Sequence, residues 1–118
     1  MYTIHEIANR LTELVSEKKF IEAYVQLYAE DAESIDPLDT DQQELKGLQV
    51  LVEREESFLS RTTIHQINVS EPLVAGNHFA VNLTMDFTIT GLERRTIDEL
   101  CVYKVKDGRI NSQQFFIN

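Results

Sequence analysis

The chain has one cysteine, two prolines, four glycines and no tryptophan in 118 residues. A lone thiol, Cys101, excludes an internal disulfide and any metal site built from several cysteines. So little proline and glycine, with no low-complexity stretch, leaves no linker. The length fits one domain with one core, residues 1–118. No apolar run approaches the ~20 residues that a spanning helix needs. The opening MYTIHEIANRL lacks the basic start and continuous apolar core of a signal peptide. Together these absences point to a cytoplasmic protein.

Positive charge is also scarce. There are 11 Lys plus Arg against 20 Asp plus Glu, a formal charge of -9. Lys18-Lys19 and Arg94-Arg95 are only pairs, not clusters. A surface so negative repels phosphate backbones and anionic headgroups, so neither nucleic acid nor membrane is expected as a partner. His5, His65 and His78 are scattered, with no HxH or HExxH spacing. No metal and no cofactor is expected.

What the chain has is periodicity. Residues 3–17 read as a helix: Thr3 and Glu6 form a capping box, and Ile4, Ile7, Ala8, Leu11, Leu14 and Val15 share one face. A second helix is expected over 20–29, with Phe20, Ala23, Tyr24, Leu27 and Tyr28 as its buried stripe. Residues 31–36 read as a short extended segment, because the residue before Pro37 is pushed out of the α region. The run DPLDTDQQELKG reads as a polar loop. Gly47 opens a third helix over roughly 48–60, with Glu55 on the same face as Leu48, Leu51, Val52, Phe58 and Leu59.

After residue 61 the period becomes two. Ile67 and Val69 lead to Pro72 and an AGN turn. Phe79, Val81, Leu83, Met85, Phe87 and Ile89 then alternate with small or polar neighbours, as in a half-buried strand. Gly91 marks a turn, residues 94–106 form another strand, Lys106-Asp107-Gly108 signals a hairpin, and 109–117 is the last strand. Helices first and strands second imply an α+β fold, with three helices on one face of an antiparallel sheet. Three helices do not cover a long curved sheet completely, so a pocket is expected at the uncovered end.

The run LYAEDAESIDP at 27–37, Gly47 before a helix and the closing VYKVKDGRI at 102–110 resemble the nuclear transport factor 2-like superfamily. The nearest branch is the SnoaL-like domain, and ketosteroid isomerase shares the fold. The resemblance covers nearly the whole chain and implies a cone-shaped α+β domain around an apolar pocket. It places Asp36, followed by Pro37, where ketosteroid isomerases keep their general base. The two oxyanion donors of that enzyme would fall on Leu11 or Thr12 and on Cys101, none of them the expected Tyr or Asp. Cyclases of the SnoaL type take an acid/base Asp from the last strand, which here reads INSQQFFIN and has no carboxylate. This superfold hosts enzymes, binding modules and assembly domains.

Asp36 is therefore the candidate general base, or else a loop carboxylate that ends its strand. By alternation Ser34 shares its face. A carboxylate lining an apolar cavity loses hydration, its pKa rises, and it can then take a proton from carbon next to a carbonyl. Glu99 and Tyr103 share a strand face with Cys101, Ile97 and Val105. A protonated Glu99 or the Tyr103 hydroxyl could donate to a ligand carbonyl; alternatively Glu99 sits solvated at the mouth and Tyr103 is core. Cys101 reads as a small buried residue. The resemblance would put Gln113 inside with Phe115 and Ile117, with Glu99 or a ligand as partner; alternatively Gln113 sits at the rim with water. The pocket lining is expected to be Ser34, Phe79, Val81, Leu83, Met85, Phe87, Cys101, Gln113 and Phe115.

Leu100 and Val102 then face outward, leaving apolar area that a second copy of the chain is expected to cover. Three readings follow. The first is a pocket protein for an unknown apolar or carbonyl-containing small molecule. The second is an isomerase or dehydratase using Asp36. The third is a dimeric structural or assembly domain with an incidental pocket.

Overall fold

A computed structural model describes residues 2–37 and 44–117. Three helices, α1 (Ile4–Ser16), α2 (Phe20–Leu27) and α3 (Leu48–Ser60), pack against one curled sheet. Its strands are β1 (Tyr28–Ile35), β2 (Glu44–Lys46), β3 (Thr62–Val69), β4 (Leu73–Ala75), β5 (His78–Ile89), β6 (Arg95–Lys106) and β7 (Arg109–Ile117). The sheet order is β2-β1-β7-β6-β5-β3, with β4 beside β5. The expected α+β class is the observed one.

The local reasons are those the sequence supplies. At the start of α1 the Glu6 amide donates to Thr3 Oγ1 at 3.2 Å, and the Thr3 amide donates back to Glu6 Oε1 at 2.9 Å. Two amides that lack helical partners are thus satisfied at once. Ile7, Ala8, Leu11, Leu14 and Val15 form the buried face. Gly47, with φ +107°, turns the chain into α3, and its amide donates to the Ala32 carbonyl at 2.8 Å. Asp107 and Gly108, both at positive φ, make the tight turn joining β6 to β7.

Three features depart from the periodicity reading. The second helix ends at Leu27, and Tyr28 already belongs to β1. Tyr28 is buried by strand geometry rather than by a helical stripe. The polar run 36–47 is not all loop: Glu44–Lys46 form β2, paired antiparallel with Glu33–Ile35, while 38–43 lie outside the described residues. The sheet is also not wholly antiparallel, because β1 runs parallel to β7. The helix and β2 inserted between β1 and the rest let the first strand close against the last.

The edge of β5 is shared by two short strands. β3 pairs with Leu83–Ile89 and β4 with His78–Ala80, the chain crossing between them at Pro72. Register shifts interrupt β1–β7, β3–β5 and β6–β7. Such bulges bend strands, and here they accompany the curl. One end of the curl is filled by α1 packed on β5. At the other, α3 and the sheet stand apart and enclose a cavity.

Candidate functional site

The cavity has a volume of about 440 Å³. Its sheet wall comes from alternate residues of β5 and β6: Leu83, Met85, Phe87 and Ile89, then Ile97, Glu99, Cys101 and Tyr103. Its helical wall comes from Leu11, Val15, Phe20, Ala23, Tyr24, Arg54, Glu55 and Phe58. Phe58 meets Phe87 edge-on, with ring centroids 6.0 Å apart, which fixes α3 over the sheet. Exposed Arg61, Leu92 and Arg95 form the rim, with the Arg95 guanidinium 5.7 Å from the Phe87 ring centre. A larger groove of about 580 Å³ runs outside, between α1 and the β3–β4 edge. Its titratable side chains, His5, Glu13 and Glu71, are all exposed, so it lacks the desolvation that tunes chemistry.

Among the described residues, three carboxyl side chains reach the inner cavity: Asp36, Glu55 and Glu99. Glu99 is only 8% exposed and sits in register between Leu83 and Ile117. Burial pushes its pKa up to about 7, with the Asp36 charge adding to the effect. The Cys101 thiol donates to Glu99 Oε1 at 3.6 Å, while Glu99 Oε2 finds no hydrogen-bond partner among the described residues. Glu55, half-buried on α3, is likewise raised by burial to about 7; the neighbouring Arg54 charge opposes the rise and Asp36 reinforces it. Near neutral pH the two glutamates therefore exchange between acid and carboxylate. The acid form donates a hydrogen bond and the carboxylate accepts a proton, so such groups suit either role.

Behind the carboxyls lies a polar network. Gln113, 2% exposed, accepts from the Tyr28 hydroxyl and donates to the Tyr24 hydroxyl at 2.9 Å and to Ser34 Oγ at 3.0 Å. Arg54 Nη2 donates to the same Ser34 oxygen at 3.1 Å. The Tyr24 and Tyr28 rings lie 4.6 Å apart. Burial pushes both phenols above their ordinary range, so they stay neutral donors. A buried network of this kind fixes side-chain positions.

Asp36, Glu99, Tyr103, Leu83, Met85, Phe87, Cys101, Gln113 and Phe115 thus border one hollow. Ser34, Phe79 and Val81 were expected on its wall and are not there. Ser34 is turned into the Arg54–Gln113 network. Phe79 and Val81 lie on the inward face of β5 but at its closed end, where Phe79 stacks on Tyr103 at 4.8 Å. Gln113 finds Tyr24, Tyr28 and Ser34 rather than Glu99. Glu99 is buried among aliphatic neighbours, not solvated at the mouth. Cys101 is fully buried and its thiol is pushed up by burial, which makes it a poor nucleophile. Arg54 escaped the sequence reading. The signal was its place beside Glu55, at the edge of the apolar face of α3.

A curled sheet wrapped around a cavity under three N-terminal helices defines the nuclear transport factor 2-like, ketosteroid isomerase-like fold. Within that fold the chain belongs to the SnoaL-like domain family, whose model matches residues 2–117. A Mesorhizobium loti protein described as a candidate SnoaL-like polyketide cyclase is 31% identical, with a TM-score of 0.91 over 98% of this chain and 99% of that one. A Burkholderia pseudomallei nuclear transport factor 2-like protein of unknown function shares the fold at TM-score 0.78 and 12% identity, over 100% and 92% of the two chains. A Catenulispora acidiphila protein with the ketosteroid isomerase-like fold, in complex with trimethylamine, does so at TM-score 0.75 and 14% identity, over 97% and 86%. No curated protein matches. No helix among the described residues is long and apolar enough to cross a membrane.

Proposed function

We propose that this chain is a small-molecule pocket protein whose guest is a largely apolar, carbonyl-containing compound. The observation that carries the reading is the inner cavity itself: apolar walls from β5 and β6, with carboxyl groups that hold their protons up to about pH 7. A neutral carboxylic acid in such surroundings is a hydrogen-bond donor suited to a carbonyl oxygen. Acetophenone is a suitable probe. At a hundred times its dissociation constant it stabilises the fold by about 2.7 kcal/mol, visible as a higher melting temperature. The absence of any shift across a series of simple ketones contradicts the reading.

A second reading is favoured by the convergence of Asp36 with Glu99 on that cavity. Asp36 would remove a proton from carbon next to the guest carbonyl, and neutral Glu99 or Tyr103 would hold the enolate oxygen as charge develops. This is isomerase or dehydratase chemistry. Cyclase chemistry resting on an acid from the last strand has no support, since RINSQQFFI carries no carboxylate. Asp36→Asn separates the two readings. In an enzyme it preserves fold and guest affinity and abolishes turnover; in a pure binder there is no turnover to lose.

The same reading includes a homodimer through the outer sheet face. Leu100 and Phe116 are partners in register there and are 46% and 48% exposed. Val102, expected to contribute equally, is half-buried. Light scattering tests it: a dimeric mass that falls to monomer in Leu100→Glu is expected, and a monomeric parent contradicts it. The chain is read as cytoplasmic.

A further inference from the structure

Among the described residues, two buried polar atoms on the cavity wall find no hydrogen-bond partner, and they are of opposite kind. Glu99 Oε2 is the first and Arg54 Nη1 the second. Both side chains line the cavity, Glu99 from the sheet wall on β6 and Arg54 from the helical wall on α3. Neither vacancy is a general looseness of the site. Arg54 Nη2 donates to Ser34 and its charge also acts on the Tyr24 phenol, while the other oxygen of Glu99 receives the Cys101 thiol. The side chains behind them are linked from Tyr28 through Gln113 to Tyr24 and Ser34.

A buried group left without a partner costs more than a typical hydrogen bond gains, so a guest that supplies both partners is selected over one that supplies neither. A guanidinium nitrogen only donates, so its missing partner is an acceptor. The carboxyl of Glu99 accepts as an anion and both donates and accepts as an acid, so a hydroxyl suits it in either state. The sheet wall that carries Glu99 is otherwise largely apolar, with Leu83, Met85, Phe87 and Ile97.

We infer that the guest of this pocket is a hydroxylated carbonyl compound, its carbonyl oxygen accepting from Arg54 on the helical wall and its hydroxyl meeting Glu99 on the sheet wall. The inference rests on the pocket reading above and changes one contact in it: the guest carbonyl is held by Arg54 rather than by a neutral carboxyl, and Glu99 takes the hydroxyl. It assigns Arg54 and Glu99 as the residues that set specificity, whether or not a reaction follows. It also orients the guest, with the apolar body against β5 and β6.

The test is calorimetric titration with ethylbenzene, acetophenone, 4-ethylphenol and the 3- and 4-hydroxyacetophenones, all of similar size and none charged at pH 6. The parent protein is expected to bind the better hydroxyacetophenone about tenfold more tightly than acetophenone and about tenfold more tightly than 4-ethylphenol. In Glu99→Leu the advantage over acetophenone disappears and the advantage over 4-ethylphenol remains. In Arg54→Met the reverse holds. Melting curves confirm that each variant is folded, and the parent ratios stand independently of both variants. If acetophenone binds but neither hydroxyacetophenone exceeds it, the inference is wrong and the pocket reading survives. If both variants weaken every probe alike, the assignment of the two poles is wrong. If none of the compounds binds, the pocket reading falls as well.

Discussion

Replacing Glu99 by Gln should change how stability depends on pH more than it changes stability itself. The carboxyl of Glu99 is raised from 4.5 to about 7 in the folded chain, chiefly because Leu83, Ile97 and Ile117 take the place of water around it. The folded state therefore binds this proton more tightly than the unfolded state does. Stability linked to a raised pKa is fully present below the unfolded value and is lost as pH climbs through the folded one. The window runs from about pH 4.5, the unfolded value, to about pH 7, the folded one, and stability falls across it. A rise of this size corresponds to about 3 kcal/mol, a large part of the 5–15 kcal/mol that holds a typical domain together. Glu55 titrates in the same window and in the same direction, so the parent keeps some pH dependence without Glu99. Urea unfolding at pH 5, 6, 7 and 8 reads the effect. Glu99→Gln and the parent should agree closely at pH 5, and the variant should be the more stable by about 3 kcal/mol at pH 8. Parallel profiles for the two proteins would refute the claim that burial keeps this carboxyl protonated.

Asp36→Asn removes the charge that reinforces the rise at both Glu99 and Glu55, so carbon-detected titration of the glutamate carboxyls should show both midpoints moving down; unchanged midpoints would separate Asp36 from the cavity electrostatically. Gln113→Leu leaves the Tyr28 hydroxyl without its acceptor and Tyr24 without its donor, while Ser34 keeps only the Arg54 donor, at a cost of about 3 kcal/mol in chemical unfolding; a near-neutral effect would mean that these hydrogen bonds do not hold the site. Thr3→Ala removes half of the capping box on α1 and should cost about 1 kcal/mol, with amide exchange of Glu6 speeding up.

The two kinds of periodicity were legible in the sequence, and they determined most of the architecture. The capping box and the Ile7–Val15 stripe located α1, and strict alternation from Phe79 to Phe87 located β5 and its inward face. Pairing between distant segments was not legible. Nothing in YAEDAESI announces that it will run parallel to β7, because that choice is made by where α3 and β2 direct the chain. The strand Glu44–Lys46 was hidden for a related reason: one leucine between two charged residues becomes a strand only when the Glu33–Ile35 edge is offered to it. Alternation also says which side of β5 faces inward, but not where along it the helices close down. Phe79 and Val81 share the face of Leu83 and Met85, yet α1 fills their end of the curl. At the site, Asp36 was found by its place before Pro37 and Glu99 by its position in an apolar run. Arg54 was missed because one exposed-looking charge on a helix is ordinary; only the buried Ser34 oxygen beneath it gives it a role.

The claim on which the rest depends is that a small ketone enters the hollow between α3 and the β5–β6 wall. Nuclear Overhauser contacts between acetophenone and methyl-labelled protein test it directly. The expected result is contacts from the probe to the methyl groups of Leu83, Met85 and Ile97, which vanish when Leu83→Trp fills the space. Saturable binding with contacts only to surface methyls such as those of Val25 or Leu73 would contradict it.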